Sequence, residues 1–173
     1  MQISVRAFFR MFAAMLLALF SAVALANPDA AHRDAQALRG VKALVLLAPE
    51  FDEKTGAAGI TQAVVARRAE VYLRGVDVRL VRDAATLTPA QRAESPLLLI
   101  AFGASRERDS RRTHLQVTVS VLRESGDAAA GRHPVYAARH SGQTRQKLSR
   151  SLLMRELDLA LNMLREDLRR ANR

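Results

Sequence analysis

Leu115-Gln116-Val117-Thr118-Val119-Ser120-Val121 alternates apolar and polar residues without a break. A period of two marks a strand with one buried and one open face. Leu97-Leu98-Leu99-Ile100-Ala101-Phe102, held between Pro96 and Gly103, is apolar throughout and reads as a strand covered on both faces. Ala43-Leu44-Val45-Leu46-Leu47-Ala48, stopped by Pro49, has the same form. Val76, Val78 and Leu80 alternate with Asp77 and Arg79. A fifth, shorter strand, Pro134–His140, follows the loop Gly126–Gly131.

Two segments change to the helical period. Thr61 is placed to cap a helix over 62–74, with Val65, Ala69, Tyr72 and Leu73 on one face,. Gly75 stands where a left-handed C-cap is wanted. From Thr144 to about Arg170, Leu153, Leu157, Ala160, Leu161, Leu164 and Leu168 repeat at three- and four-residue steps, with Leu152, Leu159 and Met163 widening the stripe,. A long helix with such a stripe must lie against something, most simply one face of the sheet. Glu50–Gly59 and 83–95 read as connections, the latter with one helical turn at Thr88–Arg92,. Residues 104–113 are a charged connection between two strands.

The order is therefore β-α-β-β-β-β-α. Only the early strands can be parallel neighbours, and the last three form a meander. The expected fold is α+β: a two-layer sandwich with a mixed, mostly antiparallel sheet of about five strands and two main helices on one face.

Ahead of this domain, residues 1–26 read as a secretory signal peptide. Arg6 and Arg10 form the positive n-region, Met11–Phe20 the apolar h-region, and Ala24-Leu25-Ala26 a small-residue cleavage site, so cleavage is expected after Ala26,. The apolar stretch ends short of the ~20 residues a membrane-spanning helix needs. Residues 27–173 are then a single periplasmic domain, in which 27–40 reads as a short helix ended by Gly40 or as a mobile arm. The absence of Cys excludes disulfides, thiolate metal sites, Cys nucleophiles and a Cys-linked lipid anchor,.

The formal charge is +10. Residues 27–103 are nearly balanced, and the excess lies in 104–173. Within it, Arg106, Arg108, Arg111 and Arg112 crowd one connection. Four guanidinium groups at a loop tip suit phosphate, sugar acid or an acidic protein surface. A solvated loop with internal ion pairs is the plainer reading of the same residues. Nucleic acid fits poorly and is not expected as partner: the mature chain has only Phe51, Tyr72, Phe102 and Tyr136 for base stacking, and the leader removes it from the cytoplasm,.

Gly59-Ile60-Thr61 enters a helix, Leu73-Arg74-Gly75-Val76-Asp77-Val78 leaves it for a strand, and a closing helix ends near Asn172. In these features and in element order the mature chain resembles bacterial periplasmic α/β domains of the type found at the amino terminus of the Tol-system propeller protein and in the accessory lipoprotein of lipopolysaccharide assembly. It departs from the lipoprotein in having no acylated Cys. The resemblance implies a binding or assembly role in the cell envelope and carries over no functional residue.

Reactive chemistry finds little footing. His133 and His140 are seven residues apart on one strand, which sets them on opposite faces. His114 could approach either across a strand pair. His32 stands alone in the amino-terminal segment. All four read as solvent-facing or strand-end histidines. Phe102-Gly103-Ala104-Ser105-Arg106 lacks the second glycine of a nucleophile elbow. Glu50, Asp52 and Glu53 lack the ligand spacing of a calcium loop. Glu156, Asp158, Glu166 and Asp167 alternate with arginines and read as a solvated helix face, with Glu166–Arg170 at ion-pair spacing. No catalytic residue, cofactor or metal is expected. The sequence thus points to an exported, non-enzymatic binding or assembly protein whose partner is an envelope protein or an anionic glycolipid. A small periplasmic hydrolase is the alternative.

Overall fold

The alternation at 115–121 becomes the centre of the longest antiparallel unit in the molecule. A computed structural model describes residues 33–107, 111–124 and 131–173. In chain order its elements are β1 (Ala43–Leu46), β2 (Glu50–Phe51), α1 (Glu53–Gly56), α2 (Gln62–Leu73), β3 (Arg79–Val81), α3 (Pro89–Glu94), β4 (Leu97–Arg106), β5 (Thr113–Glu124), β6 (Arg132–Thr144) and α4 (Arg150–Ala171). Short 3₁₀ turns occupy Ala35–Leu38 and Ala84–Thr86. The leader, Arg108 and His32 lie outside the described residues.

The sheet runs β3-β1-β4-β5-β6, with β2 also paired to β4. β1 is parallel to both β3 and β4, and β4, β5 and β6 form an antiparallel meander. The fold is the expected α+β sandwich. It has one extra strand, because β1 and β2 are a single path broken at Pro49. Val45 pairs with Leu97 and Glu50 with Ala101, so the register slips by one residue across the break. Proline has no N–H for the ladder, which confines it to edges and irregularities. Two-residue β2 falls in a stretch whose composition reads as loop.

One face of the sheet carries the main core. Leu115, Val117, Val119 and Val121 of β5 are all buried there, as are Leu98, Ile100 and Phe102 of β4. The stripe Leu153, Leu157, Ala160, Leu161, Leu164 and Leu168 of α4 closes over them, and α2 adds Val65, Ala66, Ala69 and Leu73. On the other face, among the described residues, a smaller cluster reaches from β3 to the start of β4. There Leu87, carried by the Asp83–Ser95 connection, packs on Val45, Val81 and Leu97.

Several boundaries differ from expectation. The strand near residue 78 starts only at Arg79. β4 runs on past Gly103 to Arg106, and β6 continues to Thr144. α4 therefore starts at Arg150, where the Ser149 side chain accepts a hydrogen bond from the Leu152 N–H. Gly75 does not adopt the left-handed backbone: α2 is capped by Arg74, and the Gly75 carbonyl accepts a hydrogen bond from Arg169. Gly40 does adopt it, at φ 73°. Residues 35–38 form the short helical turn, whose Leu38 is fully buried against the core.

Candidate functional site

The last rung of the β4–β5 ladder joins Arg106 to Thr113. The connection is therefore only residues 107–112, shorter than the ten-residue stretch 104–113. Its neck is closed by the Glu107 N–H donating to the Arg112 carbonyl at 2.9 Å. Just before that neck Arg111 takes the left-handed region at φ 54°, the one positive φ outside glycine among the described residues. That conformation brings the Cβ close to the backbone and is normally left to Gly, Asn or Asp. Arg106, Arg111 and Arg112 are all exposed. Arg112 reaches Gln143 at 3.4 Å, and His114 Nε2 stands 3.7 Å from the Glu107 carboxylate. The hairpin thus presents three of the four expected arginines at one end of the sheet.

They do not converge on an apolar groove. Beside the tip is a shallow depression of about 450 Å³ lined by Asp52, Ser105, His114, Gln116 and Ser141 around Gly103. Asp52 is committed to the fold. Its Oδ1 accepts from the Thr55 N–H at 2.7 Å and the Thr55 hydroxyl at 2.8 Å, and its Oδ2 accepts from the Ala104 N–H at 2.5 Å. Burial alone would raise this carboxyl's pKa. The N–H donors of Ala104 and Thr55 outweigh it and hold the group below the usual carboxylate range,. Asp52 thus caps α1 and staples this exposed acidic turn to β4.

Glu156 and Asp167 overturn the reading of a solvated face for α4, while Glu166 is exposed as that reading has it. Glu156 and Asp167 are each only 1% exposed. Glu156 Oε2 lies 2.6 Å from His140 Nδ1, and its Oε1 accepts from Arg155 at 2.8 and 3.1 Å. Asp167 Oδ2 accepts from the Tyr136 hydroxyl at 2.9 Å and from Arg33 at 2.8 and 3.0 Å, while Oδ1 faces Arg170 at 3.3 Å. Burial of the ring, followed by the bond to Asp167, pushes the Tyr136 phenol well above its ordinary pKa,. The expected Glu166–Arg170 pair is replaced by Asp167–Arg170, and Glu166 accepts from Asn162 instead. Asp158 pairs with Arg68 across the α2–α4 contact. Glu156, Asp158 and Asp167 tie α4 to other parts of the chain, whereas exposed Glu166 bonds only within the helix.

The histidines are also placed differently. A bulge between Val121 and Leu122 changes the register, so that His133 faces Arg123 and His140 faces Val117. Both therefore follow the odd-numbered residues of β5, and the parity argument for opposite faces fails. They remain roughly 20 Å apart at ~3.3 Å per residue. His114 faces Ser105 and Gln143, and neither other histidine. His140 is a partly buried partner of Glu156, not a solvent-facing strand end. Among the described residues no three His, Asp or Glu side chains are grouped to hold a metal ion. Within those residues no helix is long and apolar enough to cross a membrane.

At the other end of the meander, Arg92, Arg123 and Arg132 rim a groove with an apolar floor. No sequence pattern marks it, because Arg92 reaches it from a separate segment and only the strand order brings the three together.

Fold and site together define a small α+β sandwich with a basic hairpin at one end of its sheet. No family model matches the sequence, and no curated protein matches it. Among solved structures the chain is similar to PelC from Paraburkholderia phytofirmans, described as a dodecamer. A variant of PelC shares 18% identity over 73% of this chain and 90% of its own, with a TM-score of 0.42. A second PelC crystal form shares 13% identity over 72% and 88%, with a TM-score of 0.42.

Proposed function

We propose that this chain is a non-enzymatic binding or assembly protein of the bacterial cell envelope, exported to the periplasm, that contacts an anionic partner through the basic hairpin tip. The reading rests on one observation above others: an arginine occupies the left-handed position of the turn, flanked by exposed Arg106 and Arg112. Glycine would relieve that position, so the side chain there has a use that outweighs its conformational cost. Arginine forks match phosphate and carboxylate oxygens in two-pronged contacts. The leader-like residues 1–26 and the resemblance to envelope domains support the location.

The test is co-sedimentation of the mature domain with vesicles carrying lipopolysaccharide, against vesicles of neutral phospholipid. Binding to the first, weakened by Arg106→Gln, Arg111→Gln and Arg112→Gln together and by added salt, is the expected result. Equal sedimentation of the wild-type and triple-variant domains would overturn the hairpin as contact.

A further inference from the structure

Arg106 and Thr144 end β4 and β6 on the same side of the sheet: Arg106 pairs with Thr113, and Thr113 with Thr144. Two strand spacings, about 10 Å, therefore separate the hairpin from the place where the chain leaves β6. Arg112 crosses that gap to Gln143. The segment that leaves, Arg145-Gln146-Lys147-Leu148-Ser149, turns directly into α4 at Arg150. Leu148 packs against the core and fixes the segment in place. Arg145, Lys147 and Arg150 are exposed, and none makes an ion pair or side-chain hydrogen bond with a described residue.

These cations stand where the fold itself opposes them. The start of a helix is the positive end of its dipole and favours acids. The first turn of this 22-residue helix has no acid and opens on Arg150. From Ala128 to Arg155 the chain holds six arginines or lysines and no Asp or Glu. The far end of α4 is different. There Arg169 and Arg170 complement the negative end of the dipole, and they bond to the Gly75 carbonyl and to Asp167,. The cations at the start gain neither. The acids nearest this end are engaged or set aside. Asp52 holds the N–H groups of Thr55 and Ala104, and Glu107 faces His114. Exposed Glu50 and Glu53 lie across β4, on the side away from β5 and β6.

The set is too widely spread for one small anion, because it spans the strand ends and the first turn of the helical layer. A plane of many anions meets all of it at once. We propose that the β6–α4 connection docks the domain end-on onto an anionic phospholipid bilayer, with Arg145, Lys147 and Arg150 on the headgroup phosphates. Leu148 is turned to the core, so contact stays at headgroup level. This surface rests on the proposed function for its envelope location, and its three cations are separate from those of the hairpin.

The experiment is co-sedimentation of the mature domain with vesicles of phosphatidylglycerol mixed with phosphatidylcholine, against vesicles of phosphatidylcholine alone. Binding to the first only, weakened by added salt, is expected. Arg145→Gln, Lys147→Gln and Arg150→Gln together should weaken it on the order of a hundredfold, at roughly fivefold per cation. The urea midpoint of this variant should equal or exceed that of wild type, since a cation leaves the positive end of the dipole. Arg145→Gln with Lys147→Gln, both outside the helix, is a second variant and should weaken binding in the same direction. Arg39→Gln, Arg169→Gln and Arg173→Gln remove the same charge near the other end of α4, roughly 30 Å away, and should bind as wild type does. Glycerol phosphate at equal phosphate concentration should not compete. Equal binding to both vesicles, equal weakening by the two charge-matched sets, full competition by glycerol phosphate, or wild-type binding by the connection variants would each overturn the proposal. The hairpin variant of Arg106, Arg111 and Arg112 runs alongside. If it binds as wild type while the connection variants do not, the hairpin contact falls and this surface stands; the reverse overturns this surface alone.

Discussion

His140 on β6 and Glu156 on α4 meet at 2.6 Å, and Glu156 is 1% exposed. A carboxylate so deep must be paired, because an uncompensated buried charge is costly. Arg155 completes the pairing from the next position on the same helix. The room comes from Gly142, whose absent Cβ would stand 2.7 Å from Glu156 Oε1.

Gly142→Ala should therefore force the Glu156 carboxylate off its partners. The expected loss is about 1–3 kcal/mol, the usual cost of overpacking, read as a lower urea midpoint. A stability equal to wild type would mean that Glu156 has another place to go.

Asp167 joins the amino-terminal segment to α4 through Arg33 and holds the Tyr136 hydroxyl. Asp167→Ala should destabilise by about 1–3 kcal/mol, the cost of leaving the buried Tyr136 hydroxyl without its acceptor, since Arg33 and Arg170 can turn to water,. Tyr136→Phe should cost only about 1 kcal/mol, the net worth of one hydrogen bond. The phenol's raised pKa also fixes a direction with pH. The unfolded Tyr releases its proton near pH ~10, while the folded one keeps it, so this contribution is whole below about pH 10 and is lost as pH rises above it,. Urea midpoints measured across that range should fall more steeply in wild type than in Tyr136→Phe.

Asp52 gives the opposite slope. Its folded pKa is depressed, mainly by the Ala104 and Thr55 N–H groups working against burial. Its contribution is present above the unfolded value of ~3.9 and disappears as pH falls through the lower folded value. Asp52→Ala should lose about 1 kcal/mol at pH 7, the worth of a helix cap. The gap to wild type should close in acid, as followed by denaturant titration at several pH values.

Arg111→Gly should move stability and binding in opposite directions. Glycine takes φ 54° without the Cβ penalty,, so a gain of about 1 kcal/mol is expected. Vesicle binding should weaken with the lost guanidinium. A parallel loss of both would show that the side chain is structural.

Much of the sheet was open to reading because its pattern is one-sided. Val117, Val119 and Val121 of β5 alternate with polar residues along one buried face, so their period survives in the sequence. The carboxyl-terminal part of β6, Ser141–Thr144, carries no apolar period because Gly142 faces Glu156 there, and it reads as loop. The buried acids are legible by position. Glu156 lies three after Leu153 and four before Ala160, and Asp167 three after Leu164, so both fall on the apolar stripe of α4,. Their charge argues for solvent and their position for the core, and position prevails. Leu159 is the converse: it widens the stripe by spacing, yet is 42% exposed. The Arg92, Arg123 and Arg132 groove had no such signal, since only the strand order brings those three together.

The proposed function places this domain outside the cytoplasm, and one measurement tests that directly: the intact mass of the carboxyl-terminally tagged product released from cells by osmotic shock. The expected result is a released chain that starts at Asn27, having lost residues 1–26. A full-length product starting at Met1 and retained in the cytosol would contradict the account.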